Sequence, residues 1–284
     1  MSSIQILKQA PLIHVVAQLN FSALPQLKQA EIEALHRAFA AIGFPDMVEA
    51  SFNEVQLSFS ANIEDSPQRV SHKNQRFVFK AEGNHSLVEF RKDQLILKTT
   101  DYCGHAEFLP QWFKVITICS ECLPTFKQAL LQDMTLRYID LIVPKEGEVL
   151  QNLIKDTLLP PALTVLDAES LFGSTTKILR TAPNCQLRIA FSEIPAKEQR
   201  LTKILPDDLA EPDPRCSLSI KGFSHWEKLA APSYGLLDAE HKYIASNKPA
   251  LSNVKLEEEY QLLYQSISSV FWDLITEEAK NSWS

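Results

Sequence analysis

Two long segments with the apolar spacing of an amphipathic helix constrain the fold of this chain most strongly. Each follows a group of strand-like segments. Apolar side chains step by four and three positions through residues 107–123, and residues 256–279 repeat that spacing. Such a stripe is typical of a helix that buries one face. Groups of strands followed by helices are typical of α+β proteins. We therefore predict an α+β fold of two similar halves, each with antiparallel strands packed on one long amphipathic helix.

The division between the predicted halves gives segments 1–145 and 146–284, each long enough to bury its own core. The strand-like segments of the first are 12–21, 55–59, 76–80, 134–143 and a hairpin over 86–99. Those of the second are 175–180, 185–193, 217–223 and 234–243. We expect Ser22 to cap a first helix that ends at Gly43, and the polar stretches 63–74 and 205–215 to be exposed loops.

The chain has only seven glycines, and they stand far apart. The dinucleotide-binding, phosphate-binding and nucleophile-elbow motifs all need closely spaced glycines. The histidines and serines form none of the spacings typical of metalloproteases or serine hydrolases. We therefore predict a protein that is not an enzyme, has no catalytic residues and requires no cofactor.

The chain is acidic, because 35 Asp and Glu residues against 28 Lys and Arg residues give a formal net charge of −7. Nucleic-acid binding needs clustered cations that neutralise phosphates, so nucleic acid is not expected to be the main partner. The densest basic stretch, residues 73–91, is interpreted as the solvated face of a hairpin. An acidic chain instead favours a basic protein partner.

The amino-terminal residues lack the basic and apolar regions of a signal peptide, and no apolar run is long enough to span a membrane. Five cysteines, an odd number scattered along the chain, are typical of reduced thiols. Together these features predict a cytoplasmic protein with no membrane partner.

Cys103, His105, Cys119 and Cys122 are the strongest candidates for metal ligands. Cysteine and histidine pairs near this spacing form tetrahedral zinc sites. However, Cys119 and Cys122 fall on the apolar stripe of the predicted helix, where free cysteine packs as a small hydrophobic side chain. We therefore expect buried thiols and no bound metal.

Arg137, Tyr138 and Asp140 lie within an otherwise apolar strand. Charged residues are rarely buried without a partner, so this segment either forms ion pairs or grips a carboxylate or phosphate of a binding partner. Asp238 and Glu240 are two positions apart on another strand and therefore share a face. That pair is either the solvated face of a sheet or a divalent-metal or acid–base site.

Several segments, in this order, resemble a sporadically distributed bacterial family of proteins of about this length. The matching segments are Ala10-Pro11-Leu12-Ile13, Gly43-Phe44-Pro45, Thr99-Thr100-x-Tyr102, Leu136-Arg137-Tyr138-Ile139-Asp140, and Phe271-Trp272 with Ile275-Thr276-Glu277. Asp140 stands where the family usually has asparagine. The resemblance implies no catalytic residues, and the patchy distribution of the family implies a mobile or defence-linked role, such as an antitoxin, an immunity protein or a phage-defence component.

The preferred hypothesis is a protein-interaction protein of this immunity, antitoxin or phage-defence type, which binds a basic toxin or another defence protein. Its candidate binding residues are Arg137, Tyr138, Asp140, Asp238, Glu240 and Trp283. Trp283, near the end of the chain, is either an interface anchor or packs on its own domain. Two alternatives stay open: a module that binds a small molecule or lipid between sheet and helix, and a hydrolase or nuclease that uses Asp238 and Glu240 with a metal.

Overall fold

An antiparallel sheet of nine strands forms the centre of the computed structural model, which describes residues 7–58, 68–161 and 171–284. Its strands are β1 (Leu12–Phe21), β2 (Asp46–Ser58), β3 (Gln68–Lys80), β4 (Ser86–Arg91), β5 (Gln94–Thr99), β6 (Leu131–Ile142), β7 (Gly173–Ala182), β8 (Cys185–Pro195) and β9 (Ser233–Ile244). They lie in the order β2-β3-β4-β5-β1-β6-β9-β8-β7, so β2 and β7 are the edge strands. The α+β class is confirmed.

The helices of the described residues gather on one side of this sheet, which we call the helix face. They are α1 (Gln29–Ala41), α2 (His105–Cys122), α3 (Leu150–Leu153), α4 (Leu256–Leu274) and α5 (Glu277–Trp283). α1 packs on α2, whereas α4 packs on β6 and β9 and contacts α2. Trp112 of α2 and Tyr260 of α4 are fully buried where these apolar stripes meet. Within the described residues, no helix is long and apolar enough to cross a membrane.

The opposite side of the sheet, which we call the loop face, is covered in part by the segment between β8 and β9. Trp226 and Leu229 of this segment belong to a second apolar core with Ile139 and Leu141 of β6. Because of this cover, His14 of β1 is only 4% exposed, although the alternation along β1 predicts a half-buried strand. Both faces of the central strands are therefore buried.

Two local predictions in the first half need correction. Ser22 does not cap α1, which begins at Gln29; its hydroxyl instead accepts a hydrogen bond from the backbone N–H of Leu130 at 2.9 Å. The stretch 63–74 is strand from Gln68 onward, and residues 63–67 lie outside the described residues. Backbone pairing with β2 forms this strand, and such pairing does not require an apolar side-chain pattern.

The predicted strand at 217–223 and the predicted solvated face at 73–91 are both wrong, for one reason. The backbone N–H of Ser219 bonds the carbonyl of Asn84 at 2.8 Å, so this segment lies across the turn between β3 and β4 rather than beside a strand. The residues that precede it cover the hairpin, and the side chain of Arg76 is consequently buried.

The final predicted helix, residues 256–279, is interrupted. α4 ends at Leu274, and Ile275 forms an isolated β-bridge with Ile154. Thr276 then caps α5, because its hydroxyl accepts a hydrogen bond from the backbone N–H of Ala279 at 3.1 Å. The continuous apolar spacing of residues 256–279 therefore covers parts of two helices, and the buried residue Ile275 lies between them.

Gly235 allows a close approach between β9, β8 and α3. A Cβ atom at this position would lie 2.6 Å from the ring of Phe191 and 3.2 Å from Leu150. We expect Gly235→Ala to lower the free energy of unfolding by about 1–3 kcal/mol, because the core would have to expand. Urea denaturation would measure this loss. Gly222→Ala is the control, since its added Cβ would meet nothing closer than 3.4 Å, and equal losses in the two variants would contradict the explanation.

Candidate functional site

Arg137 of β6 lies at the centre of an ion-pair cluster on the loop face. Its Nε and Nη2 atoms donate to the two carboxylate oxygens of Asp238, each at 2.8 Å. Its Nη1 and Nη2 atoms donate to the two oxygens of Asp208, at 2.5 and 3.1 Å. Arg188 of β8 donates to Asp238 at 2.8 Å, and Glu240 lies 3.7 Å from both arginines. Three predicted site residues are thus brought together.

The order of the strands creates this cluster. Arg137 pairs with Glu240 across β6 and β9, and Glu240 pairs with Arg188 across β9 and β8. Asp238 is two positions from Glu240 and points to the same face. The shared face of these two acids was predictable from their spacing, whereas the two arginines beside them depend on which strands become neighbours.

The electrostatics of the cluster are those of a closed ion-pair network. Burial would lower the pKa of Arg137, but its hydrogen bonds to Asp238 and Asp208 raise it above the usual value. The hydrogen bond from Arg137 lowers the pKa of Asp208. Both oxygens of Asp238 already accept guanidinium hydrogen bonds, which leaves them little capacity to bind a metal. This geometry gives the metal-dependent hydrolase hypothesis no support.

An open groove of about 570 Å³ adjoins the cluster. Arg188 and Ser192 of β8 and Leu236 of β9 line it from the sheet, and Lys203 and Asp208 line it from the covering segment. Charges of both signs therefore surround the groove. Such a lining fits a charged or polar peptide better than an apolar ligand.

A second buried ion-pair cluster, which the sequence analysis did not single out, lies at the other end of the loop face. Arg76 of β3 donates to the two oxygens of Glu211 at 3.0 and 2.6 Å and to Glu89 of β4 at 3.3 Å. Glu89 also accepts hydrogen bonds from Lys98 at 3.1 Å and Arg91 at 2.7 Å. Burial would raise the pKa of Glu89, but these three cations lower it to about 2.

Residues 205–216, which we call the strap, join the two clusters. Prolines and acids in this stretch predict an exposed loop, and that prediction is only partly right. The side chain of Asp208 is 65% exposed but forms an ion pair with the buried Arg137, and Glu211 forms an ion pair with the buried Arg76. These two carboxylates therefore bind the strap to the loop face.

Tyr138 and Asp140 lie on the helix face, away from Arg137. The hydroxyl of Tyr138 is 3.0 Å from that of Tyr102, and the two rings meet edge to face. Asp140 is buried, and burial raises its pKa to about 8. The ion-pair interpretation of this strand therefore applies to Arg137, whose partners are now identified, whereas Asp140 lies in a different environment.

α2 separates Cys103 and His105, at its start, from Cys119 and Cys122, in its last turn. The expectation of buried thiols is right for Cys119 but wrong for Cys103, which precedes the helix, and Cys122 is only partly buried. His105 is its first residue and Cys122 its last, so roughly 25 Å of helix axis separates them. Cys103 is exposed, whereas Cys119 is buried and burial raises the pKa of its thiol. In the part of the chain that the structure describes, no group of three or more such side chains could hold a metal ion.

Trp283 packs on its own domain. Its side chain is buried in the main core, and its carbonyl accepts a hydrogen bond from the backbone N–H of Gln9 at 2.9 Å. The alternative interpretation, an exposed interface anchor, does not fit this burial.

Edge strand β7 is the most exposed strand among the residues whose burial is described. It pairs with β8 from Gly173 to Ala182, and no other strand of the described residues lies beside it. Every side chain of residues 176–182 is exposed, including Ile178 (59%) and Leu179 (44%), which point to opposite faces. Sequence reasoning predicted the strand but not its position at the edge, because that position depends on the order of all nine strands.

No protein-family model matches this chain, and no curated protein sequence is significantly similar to it.

Proposed function

We propose that this is a non-enzymatic interaction protein that binds an extended segment of a partner protein along β7. The observation that carries the proposal is the exposed backbone edge of this ten-residue strand. Proteins usually protect such an edge with a bulge, a proline, a charged side chain or a covering loop. The register of β7 is irregular only between Arg180 and Ala182, so its regular part is Gly173–Arg180. A regular edge of this kind is a surface to which a partner adds a strand, gaining backbone hydrogen bonds.

The side chains of β7 suit this form of binding. Ile178 and Leu179 present apolar surface on opposite faces, where residues of an added strand would pack against them. Lys177 and Arg180 favour acidic residues at the contact itself. The negative charge of the whole chain favours a partner that is basic overall. We propose a toxin or another defence protein as this partner, on the family resemblance alone.

We also propose that the chain consists of two similar halves. Support comes from the strand order, which from the centre outward is β1, β5, β4, β3, β2 on one side and β6, β9, β8, β7 on the other, so the first group has one additional strand at its edge. In each group the first strand of the chain is central and the later strands follow as a meander. With this correspondence β6 opens the second half, so the boundary falls before Leu131 rather than at residue 145.

Site-specific photocrosslinking in cells that make the protein tests binding at β7. We expect a crosslinker in place of Ile178 to capture one defined partner protein. The same crosslinker in place of Leu262, an exposed apolar residue of α4, is expected not to capture it.

Two proline variants, Thr176→Pro and Lys177→Pro, distinguish pairing at the open edge from other contacts. Successive N–H groups of a strand point to opposite sides, so one proline removes a hydrogen bond to β8 and the other removes a donor from the open edge. The variant that loses only the open-edge donor should keep the melting temperature of the wild type and lose at least tenfold in crosslinking at Ile178. Undiminished crosslinking in that stable variant would refute the proposal.

A second candidate function, the binding of a small polar molecule, is supported by a groove of about 840 Å³ between α2, the end of α1 and the turn that follows β3. Polar side chains, including His85, Asp101, Tyr102 and Lys114, line it. This lining disfavours lipid. The finding that would favour this candidate is a metabolite that co-purifies with the wild type but not with Lys114→Ala.

A further inference from the structure

Cys216, at the end of the strap, is buried in an apolar cluster with Val78 and Leu87, whereas residues 206–215 are attached to the sheet chiefly through their carboxylates. The backbone N–H groups of Leu209, Ala210 and Cys216 bond carbonyls within the strap, closing local turns. Leu209 is only partly buried, and no residue from 206 to 215 is fully buried. The bidentate contacts of Asp208 and Glu211 with arginines are therefore the principal polar links between these residues and the sheet.

The surface beneath the strap has an excess of positive charge. Among the described side chains, its two ion-pair clusters contain five strand cations, Arg76, Arg91, Lys98, Arg137 and Arg188, and three strand carboxylates, Glu89, Asp238 and Glu240. The excess of two positive charges equals the charge that Asp208 and Glu211 supply. The strap thus provides the charge that an anionic ligand would bring.

The strap leaves hydrogen-bonding groups of this surface unsatisfied. Among the described residues, neither ring nitrogen of the buried His14 has a hydrogen-bond partner, and Nε of Arg76 has none either. Burial, followed by the charges of Lys98 and Arg137, lowers the pKa of His14 to about 3, so the ring is neutral at physiological pH. Unsatisfied buried polar groups are costly, and a closely fitting ligand would gain by bonding them.

We propose that the loop face beneath the strap is a binding site for an acidic peptide segment of another protein, and that Asp208 and Glu211 occupy this site until such a segment displaces them. The ligand needs two carboxylates spaced as in Asp-x-x-Glu, because that spacing in the strap reaches both arginines. This site is separate from the edge of β7, and the two proposals are independent. Carboxylates are favoured over nucleic-acid phosphates, since carboxylates are the groups that the two arginines bind in the structure.

A fluorescent peptide of residues 205–216, with Cys216→Ser, is the probe for this site. We expect it to bind weakly to the wild-type protein, because the tethered strap competes at a high effective concentration. The protein variant Asp208→Asn/Glu211→Gln removes that competition and should bind the peptide at least tenfold more tightly. Fluorescence anisotropy measures both affinities, and binding to the variant should weaken as salt is added.

Asp207→Asn/Asp213→Asn is the matched control, since it removes the same charge from the same strap. Asp207 pairs with Lys203 and Asp213 with Arg215, both outside the sheet. This control should bind the peptide as weakly as the wild type does. Equal affinity in the two variants, or equal binding of a peptide whose two key acids are amides, would overturn the proposal. Competition by single-stranded DNA that matches competition by unlabelled peptide would also overturn it, in favour of a phosphate ligand.

Hydrogen exchange in the wild-type protein tests displacement without any substitution. Saturating peptide should speed exchange at the backbone amides of Leu209 and Ala210 by several-fold, because their turns would leave the surface. Unchanged exchange at saturation would show that the peptide binds elsewhere and would overturn the proposal.

Discussion

Asp140→Asn is expected to stabilise the protein by on the order of 4 kcal/mol at pH 7. Burial raises the pKa of Asp140 from 3.8 to about 8, so the folded protein must hold a proton that the unfolded chain releases. Each unit of such a shift costs about 1.4 kcal/mol at a pH between the two values. Asparagine is neutral in both states and avoids this cost.

The pH dependence distinguishes this cause from simple repacking. Because the folded-state pKa is the higher one, the folded protein binds more protons than the unfolded chain between about pH 4 and pH 8. The contribution of Asp140 therefore destabilises the wild type increasingly as pH rises through that range. The lowered pKa of His14 acts in the opposite direction below pH 6.5, but it is common to both proteins and cancels in the difference between them. The advantage of the variant should grow from pH 5 to pH 8 and then level off.

Urea denaturation of both proteins between pH 5 and pH 9 measures this difference. Glu89 does not interfere, since its pKa, lowered to about 2 in the folded state, makes its contribution decline only as pH falls below the unfolded value of 4.5. Asp156→Asn, at an exposed carboxylate, is the control and should change stability by less than about 0.5 kcal/mol. A constant difference across this pH range would show that desolvation of Asp140 is not the cause.

Arg137→Met is expected to destabilise the protein by about 3 kcal/mol or more. Methionine keeps much of the apolar stem but leaves the buried Asp238 with Arg188 as its remaining close cation. Removing one member of a buried ion pair typically costs about 3–5 kcal/mol, because the other charge stays desolvated. The contact with Asp208 adds little, since that carboxylate is largely exposed to solvent.

A double variant tests whether the desolvated charge of Asp238 is responsible for the loss of stability. Arg137→Met/Asp238→Leu removes both members of the pair and should recover most of the lost stability, as measured by thermal and urea denaturation. Lys155→Met breaks an exposed ion pair with Asp273 and should cost less than about 1 kcal/mol. If Arg137→Met costs no more than this control, the cluster is not a stabilising feature of the fold.

The sequence predicts the local elements well where side-chain periodicity reflects burial. β1, the hairpin of β4 and β5, and α2 all lie close to their predicted positions, since their apolar residues follow the periods of strand and helix. β3 and the segment 217–223 do not, because backbone pairing and packing over a turn determine their structure. Periodicity carries no information about either.

The candidate site was predictable only in part, for a related reason. Spacing along one strand places Asp238 and Glu240 on one face, and the burial of β6 indicates that Arg137 needs a partner. The choice of Asp238 as that partner depends on β6 and β9 being neighbours, about a hundred residues apart in the chain. The contacts of Asp208 with Arg137 and of Glu211 with Arg76 depend on the same long-range order of strands.

The central position of β1 and β6 has a consequence for how the chain folds during synthesis. β1 finds its neighbour β6 only after about 110 further residues have been made, and β6 then waits for β9. At typical ribosomal rates of about 5–20 residues per second, each wait lasts roughly 5–20 s. The pair of β6 with β9 therefore forms only once the last strand has been made, and until then β6 is an apolar strand with an open edge. A nascent chain of this kind is a natural client for chaperones that shield unpaired strands.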